Sequence, residues 1–176
     1  DAKGAPITVN LQYVRLPAAD PKVVADENSP DPLATVDPTK IPALDITINQ
    51  LFQGQDLVGG WSLKIRPTPK GIALNNLDMG LKGILLQGSG GWEGVPGSSS
   101  SWYKGRISGK NLADVLKGWG FAPSVTSEEF HMDVDGRWPG SPAWLASKRF
   151  SGTLDASLNK GQFVEVEGSA QALKVF

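Results

Sequence analysis

The chain has no cysteine among its 176 residues and only one histidine. Disulfides, thiol nucleophiles and cysteine-ligated metal sites are thereby excluded, although the compartment stays open. Any catalytic triad would have to use His131, and a three-histidine zinc site is impossible. The longest pure Leu/Ile stretch is Ile84-Leu85-Leu86, far short of the roughly 20 residues that span a bilayer. A net charge of −1 gives no electrostatic footprint for nucleic acid. Asp1-Ala2-Lys3 carries neither Met nor a signal-peptide pattern, and Lys174-Val175-Phe176 ends without a turn signal, so both ends read as cuts in a longer protein.

What the chain does have is 21 glycines and 13 prolines, about 19 per cent of its residues, which disfavours a helical bundle. Its hydrophobic fraction of 40% is too high for a disordered chain. The dominant period is two. Ile7, Val9, Leu11 and Tyr13 alternate with polar residues, as do Leu44, Ile46 and Ile48, then Trp61, Leu63 and Ile65, then Phe130, Met132 and Val134. Phe150, Leu154 and Leu158 share a face with Gly152 and Ala156. Such patterns predict half-buried antiparallel strands. Shorter candidates at 71–77, 81–87, 102–108 and 162–168 bring the expectation to about nine strands, joined as a meander by turns at Gly59-Gly60, Pro67–Gly71, Asp78–Gly80 and Asn159–Gly161. Gly83, Gly105 and Gly152, lying inside strand patterns, predict bends, bulges or close backbone approach.

One short helix is predicted near 111–119, capped by Asn111, with Leu112, Val115, Leu116 and Trp119 on one face and Gly118 or Gly120 ending it. Residues 17–42 hold prolines 17, 21, 30, 32, 38 and 42 and the acids Asp20, Asp26, Glu27, Asp31 and Asp37, which reads as a long mobile loop between two paired strands. Gly88–Ser101 reads as a second, Gly/Ser-rich loop pinned by Trp92 and Trp102.

Chemistry-bearing patterns are sparse. His131, Asp133 and Asp135 alternate on one strand face, an arrangement open to metal ligation or acid–base work but equally to the plain polar face of an amphipathic strand. Gly88–Gly94 superficially resembles a phosphate loop but lacks the downstream helix. The Ser98–Ser101 run has no structured turn or base to make a nucleophile. The expectation is therefore a non-enzyme with no metal and no cofactor. The six Trp residues (61, 92, 102, 119, 138 and 144) suit packing at strand ends, with sugar stacking as the other possibility.

A nine-stranded sheet with one helix needs something to cover its apolar face. A second sheet would give a sandwich or barrel. The other solution is an apolar ligand in a long groove. At about 0.8 kcal/mol per methylene, roughly 30 acyl methylenes of a phospholipid favour leaving water by about 24 kcal/mol.

The runs Trp138-Pro-Gly-Ser-Pro142, Phe150-Ser-Gly-Thr-Leu154, Leu158-Asn-Lys-Gly-Gln-Phe163 and Gly168-Ser-Ala-Gln-Ala172 resemble the YhdP family of AsmA-like bacterial envelope proteins. Gly59-Gly60-Trp61-Ser-Leu63, Gly71-Ile-Ala-Leu74, Gly88-Ser-Gly90-Gly-Trp92, Gly105-Arg-Ile-Ser-Gly109 and Leu112-Ala-Asp-Val-Leu116 agree in the same order. The resemblance covers roughly 43–176, and a strand at 7–16 fits before it. It implies an all-β, extended, curved antiparallel sheet, taco-like in section, with one short α-helix near 111–119. It further implies an inner-membrane anchor elsewhere in the protein, a periplasmic location in Gram-negative bacteria, and a bridge-like conduit for phospholipid between the inner and outer membranes. Residues 1–176 would form a single segment from the C-terminal half of such a groove. No catalytic motif comes with the resemblance. The expected lining is Leu44, Ile46, Ile48, Leu63, Ile65, Ile72, Leu74, Phe130, Met132, Phe150, Leu154 and Leu158. Acyl chains would lie on this face, with head groups at the polar rim. Free strand edges of the segment would allow self-association. The rival readings are a closed β-sandwich that binds sugar or protein, and a structural envelope scaffold.

Overall fold

The computed structural model describes residues 5–18, 29–118, 122–145 and 147–163. The strands are β1 (Ile7–Leu16), β2 (Leu44–Gln53), β3 (Asp56–Thr68), β4 (Gly71–Leu81), β5 (Ile84–Val95), β6 (Ser98–Lys110), β7 (Val125–Thr126), β8 (Glu129–Pro139), β9 (Ser151–Asn159) and β10 (Gln162–Phe163), with α1 at Leu112–Gly118. Eight strands form one sheet in the order β1-β2-β3-β4-β5-β6-β8-β9, and β10 pairs β7 in a separate two-stranded ribbon. Among the described residues the large sheet is open, with β1 and β9 at its edges. From β2 onward every pair in it is antiparallel, an almost unbroken meander.

The exception is β1, which runs parallel to β2. Antiparallel neighbours can be joined by a tight turn, whereas parallel ones need a crossover of a dozen or more residues. The long Pro-rich connection is thus required by topology, and the sheet is not antiparallel throughout. Its described part is also tied down, contrary to the mobile-loop expectation. A 3-10 turn at Pro38–Lys40 packs against β3, β4 and β5, with Pro38 buried. Ala34 O accepts the Gly97 amide at 2.8 Å, and Ser29 O accepts Trp144 Nε1 at 2.8 Å.

Gly88–Ser101 is no loop either. It forms the facing halves of the β5–β6 hairpin, which turns at residues 96–97. Glycine is needed there because neighbouring groups occupy the Cβ positions. A Cβ on Gly91 would overlap the Trp102 indole nitrogen, and one on Gly88 would overlap Lys104 O. Gly59-Gly60 and Asp78–Gly80 likewise lie within β3 and β4, where a Cβ on Gly59 would overlap Gly80 O. Gly83, by contrast, sits in the β4–β5 turn at φ 84°.

Helix α1 starts after Asn111, whose φ is 51°. Its carbonyl, rather than its side chain, receives the Asp114 and Val115 amides, at 2.8 and 3.2 Å. Val115 is the buried residue of the helix, and it sits against the β4–β5 turn, where a Cβ on Gly83 would come within 3.1 Å of Val115 Cγ2. Trp119 and Gly120, and residues 164–168 of the last predicted strand, fall outside the described residues.

Candidate functional site

The register of the sheet assembles its faces row by row, because directly paired residues point to the same side. One row runs Leu11–Ile48–Trp61–Met79–Leu86–Ile107–Met132–Ala156, from edge to edge. A second runs Ile7–Leu44–Ile65–Leu74–Gly90–Tyr103–Gly136–Gly152, and a shorter one runs Leu77–Gly88–Gly105–Val134–Leu154. These rows cross the strands and carry no charge. Residues 75–76 form a bulge between β4 and β5, with Asn76 at φ 52°. The extra residue is what lets Leu74 and Leu77, of opposite parity in sequence, share this face.

On it lies a trough of about 680 Å³. Its lining comes from β3 (Trp61, Leu63), β4 (Leu74, Leu77, Met79), β5 (Leu86, Gly90, Gly91), β6 (Trp102, Tyr103, Ile107), β8 (Val134, Trp138) and β9 (Leu154), together with Pro142, Leu145 and Phe150 from the β8–β9 connection. Aromatic rings pave the floor over glycine. A Cβ on Gly136 would overlap the Phe150 ring, and one on Gly105 would meet Tyr103 Oη at 2.5 Å.

Tyr103 brings the phenolic hydroxyl of the lining, and it is spoken for. Its O–H donates to Gln87 O at 2.8 Å, with Arg106 O at 3.2 Å. Burial pushes the pKa of this hydroxyl up to about 12, so it stays neutral. Tyr103→Phe is expected to cost about 1 kcal/mol by orphaning the Gln87 carbonyl. Thermal melts should show a drop of about 2–4 °C, with binding of apolar ligand retained.

The opposite face is polar. Lys104 Nζ pairs with Asp135 Oδ2 at 2.8 Å, and Arg106 grips Asp133 through two hydrogen bonds of 2.8 Å. The Arg106 hydrogen bond holds the Asp133 carboxyl below the usual carboxylate range. His131 sits on the same side, opposite Ser108 and Ser157. Asp133 and Asp135 therefore belong to a cross-strand charge ladder, with His131 between serines on the same face, and the described residues contain no cluster of three or more ligands suited to a metal ion. Fully exposed pairs of this kind add little to stability, so their main effect is to keep that face wet.

The trough is walled at one set of strand ends by the crossover. Where β4, β5, β6 and β8 meet residues 29–43, Ile72, Trp92 and Trp138 are buried. Asp31 holds this corner together. Its carboxylate accepts the Ser141 amide at 2.7 Å, the Ser141 hydroxyl at 2.6 Å and the Leu33 amide at 2.9 Å. Burial works to raise its pKa, but these hydrogen bonds and nearby Arg149 outweigh burial and leave it below the usual range. A depressed carboxylate stabilises the fold above its unfolded pKa, and that contribution disappears as pH falls through the folded value. The stability gap between the native chain and Asp31→Asn should therefore be full near pH 5 and shrink below about pH 4, as thermal melts across that range would show.

All of the sequence-predicted lining residues fall on the apolar face, but only Leu63, Leu74, Phe150 and Leu154 line the trough itself. Met132 packs against the same core cluster. Ile72 and Phe130 are buried in the floor near opposite ends of the strands. Leu44, Ile46, Ile48 and Ile65 continue the apolar rows toward β1, and Leu158 lies beyond Leu154 on β9. Sequence reasoning missed Leu77, Met79, Leu86, Tyr103, Ile107, Val134 and Trp138 as lining. The bulge at 75–76 hides the first two, and interleaved glycines hide the alternation of β5 and β6.

Among curated proteins and solved structures, nothing matches the chain. A protein-family model described as YhdP protein matches residues 1–176. That match spans every residue of an open, all-β sheet with an uncharged trough on one face, and it shows that the chain belongs to the YhdP family.

Proposed function

We propose that this segment shields phospholipid acyl chains as part of a periplasmic conduit between the inner and outer membranes of the Gram-negative envelope, in a protein anchored in the inner membrane. The observation that carries this reading is the direction of the trough. It runs across the strands, over five inter-strand spacings from β3 to β9, or about 24 Å at roughly 4.8 Å each. An acyl chain occupies about half of a 30 Å hydrocarbon core, so one chain fits with length to spare. The apolar rows then continue to both free edges, where Ile7, Leu11, Leu154 and Leu158 stay exposed. A closed pocket for a small molecule would end within the sheet instead.

The role is passive. Methylenes leave water at about 0.8 kcal/mol each, uncharged side chains offer them no fixed partner, and the head group stays in solvent at the rim. A closed sandwich needs a second sheet of comparable area, and the second sheet among the described residues is only the two-residue pairing of β7 with β10.

A phospholipid bearing a diazirine midway along one acyl chain tests the reading. Irradiation should label trough residues such as Leu74, Leu86 and Leu154, and leave the Lys104–Asp135 face unlabelled. Equal labelling of both faces, or none, would leave the scaffold reading as the better one.

The free edges bear on partners. Strand β1 carries one charge, Arg15, and β9 one, Asp155, and neither contains proline. Long edges without such guards pair readily with other strands. The isolated segment is expected to self-associate with concentration in sedimentation velocity, and a single unchanging monomer boundary up to millimolar protein would argue otherwise.

A further inference from the structure

The β8–β9 connection overhangs the trough. Pro142 and Leu145 face into it, yet Leu145 remains 54% exposed. Within residues 140–145 few ties reach the sheet. Gly140 N donates to Ser99 O at 2.8 Å, the Ser101 hydroxyl donates to Gly140 O at 2.9 Å, and Trp138 Nε1 donates to Ser141 O at 2.9 Å. Arg149, later in the same connection, donates through Nε to Trp144 O at 3.0 Å, and the crossover supplies the further ties. Asp31 takes both the amide and the hydroxyl of Ser141, a residue with no exposed surface, and Ser29 O takes the Trp144 indole. Gly140, with φ 82°, gives the connection a point about which its backbone can turn.

We propose that residues 140–145 are a lid on the trough and that Asp31 is the positioning residue that latches it, so that release of the Asp31–Ser141 contact admits an acyl chain from the crossover side. This inference rests on the trough being the lipid site. The latch is suited to the task because it is local and polar. The two hydrogen bonds from Ser141 to one carboxylate break without disturbing any strand ladder. A lid held by burial alone would need the floor to open with it.

Two measurements on the 1–176 chain test it. With no native cysteine to interfere, Asp31→Cys combined with Ser141→Cys allows the lid to be locked by oxidation. The oxidised form should take up a pyrene-acyl phospholipid from vesicles at least tenfold more slowly than the same protein reduced, and equal rates would overturn the lid. The second needs no lipid. In Asp31→Ala, amide exchange should rise at least tenfold at both Gly97 and Trp144, whose acceptors Ala34 O and Ser141 O are untouched by the substitution, while β5 and β6 amides stay protected. A purely local contact would leave those two amides unchanged, which also overturns the proposal. If neither redox form loads lipid, the trough reading has failed, and the exchange result alone decides the latch.

Discussion

Leu154→Asp is expected to lower phospholipid binding about a hundredfold and leave the fold intact. Leu154 lies on edge strand β9 and is 57% exposed, so the polar replacement removes little buried area from the folded chain. It nevertheless lines the trough, paired with Val134. Once an acyl chain covers it, the carboxylate must give up water with no partner in an uncharged wall. A penalty of about 3 kcal/mol is reasonable for a group that escapes in part by protonation or by turning to solvent, and that converts to about a hundredfold in affinity. Ser157→Asp supplies the control. It is on the same strand and equally exposed in class, but it lies on the other face opposite His131. Equilibrium titration with pyrene-acyl phospholipid should show Ser157→Asp within about threefold of the native chain. Equal effects from the two substitutions would mean that sidedness does not matter, and the trough would not be the binding surface.

Gly105→Ala carries the largest expected cost to stability. Gly105 sits between Gly88 on β5 and Val134 on β8, beneath the Tyr103 ring. An added methyl would overlap Gln87 O and press on Tyr103 Oη. The carbonyl belongs to a strand and cannot swing aside, so either β5 and β6 separate locally or Tyr103 leaves its hydrogen bond. Overpacking of this kind costs up to about 3 kcal/mol, a fall in Tm of about 6–12 °C for a chain of this size. Gly118→Ala, at the end of α1 with nothing within 4 Å of the new Cβ, should be neutral or slightly stabilising. Differential scanning calorimetry of the two variants separates a glycine demanded by its neighbours from one that merely tolerates a helix end.

The glycines also explain what could and could not be read from the sequence. Alternation exposed β1, β2, β3, β8 and β9 because their inward positions carry branched or aromatic side chains. In β5 and β6 the inward positions include Gly88, Gly90, Gly105 and Gly109, so the same period was present with half its signal missing. The stretch 88–101 then resembled a loop. A packing argument would have found it, since Gly90 leaves room for Leu74 and Leu77, Gly105 for the Tyr103 ring and Gly109 for the Phe130 ring. Leu77 and Met79 were lost for another reason. The bulge at Asn75-Asn76 shifts parity by one residue, and nothing local except the Asn-Asn pair announces it.

The parallel pairing of β1 with β2 was legible in principle. Adjacent strands linked by about 26 residues rather than by a turn fit a crossover, and the length of the Pro-rich segment was itself the clue. The side-chain face was available from sequence for all of the candidate lining residues. Which of them would form a common trough was not, because that depends on how far the sheet curls and on where residues 29–43, 140–145 and 147–150 come to rest. Trp92 and Trp138 show the difference. Both lie on the apolar face, yet at the crossover end they are buried, and only Trp138 also lines the trough.

The central claim is that one face of this sheet is an open trough for acyl chains. Native mass spectrometry of the 1–176 chain, purified without detergent from cells that make phospholipid, tests it most directly. The account predicts adducts at phospholipid masses on the native chain, lost from Leu154→Asp and kept by Ser157→Asp. A native chain that is folded, free of adducts and unable to take up lipid from vesicles would contradict it.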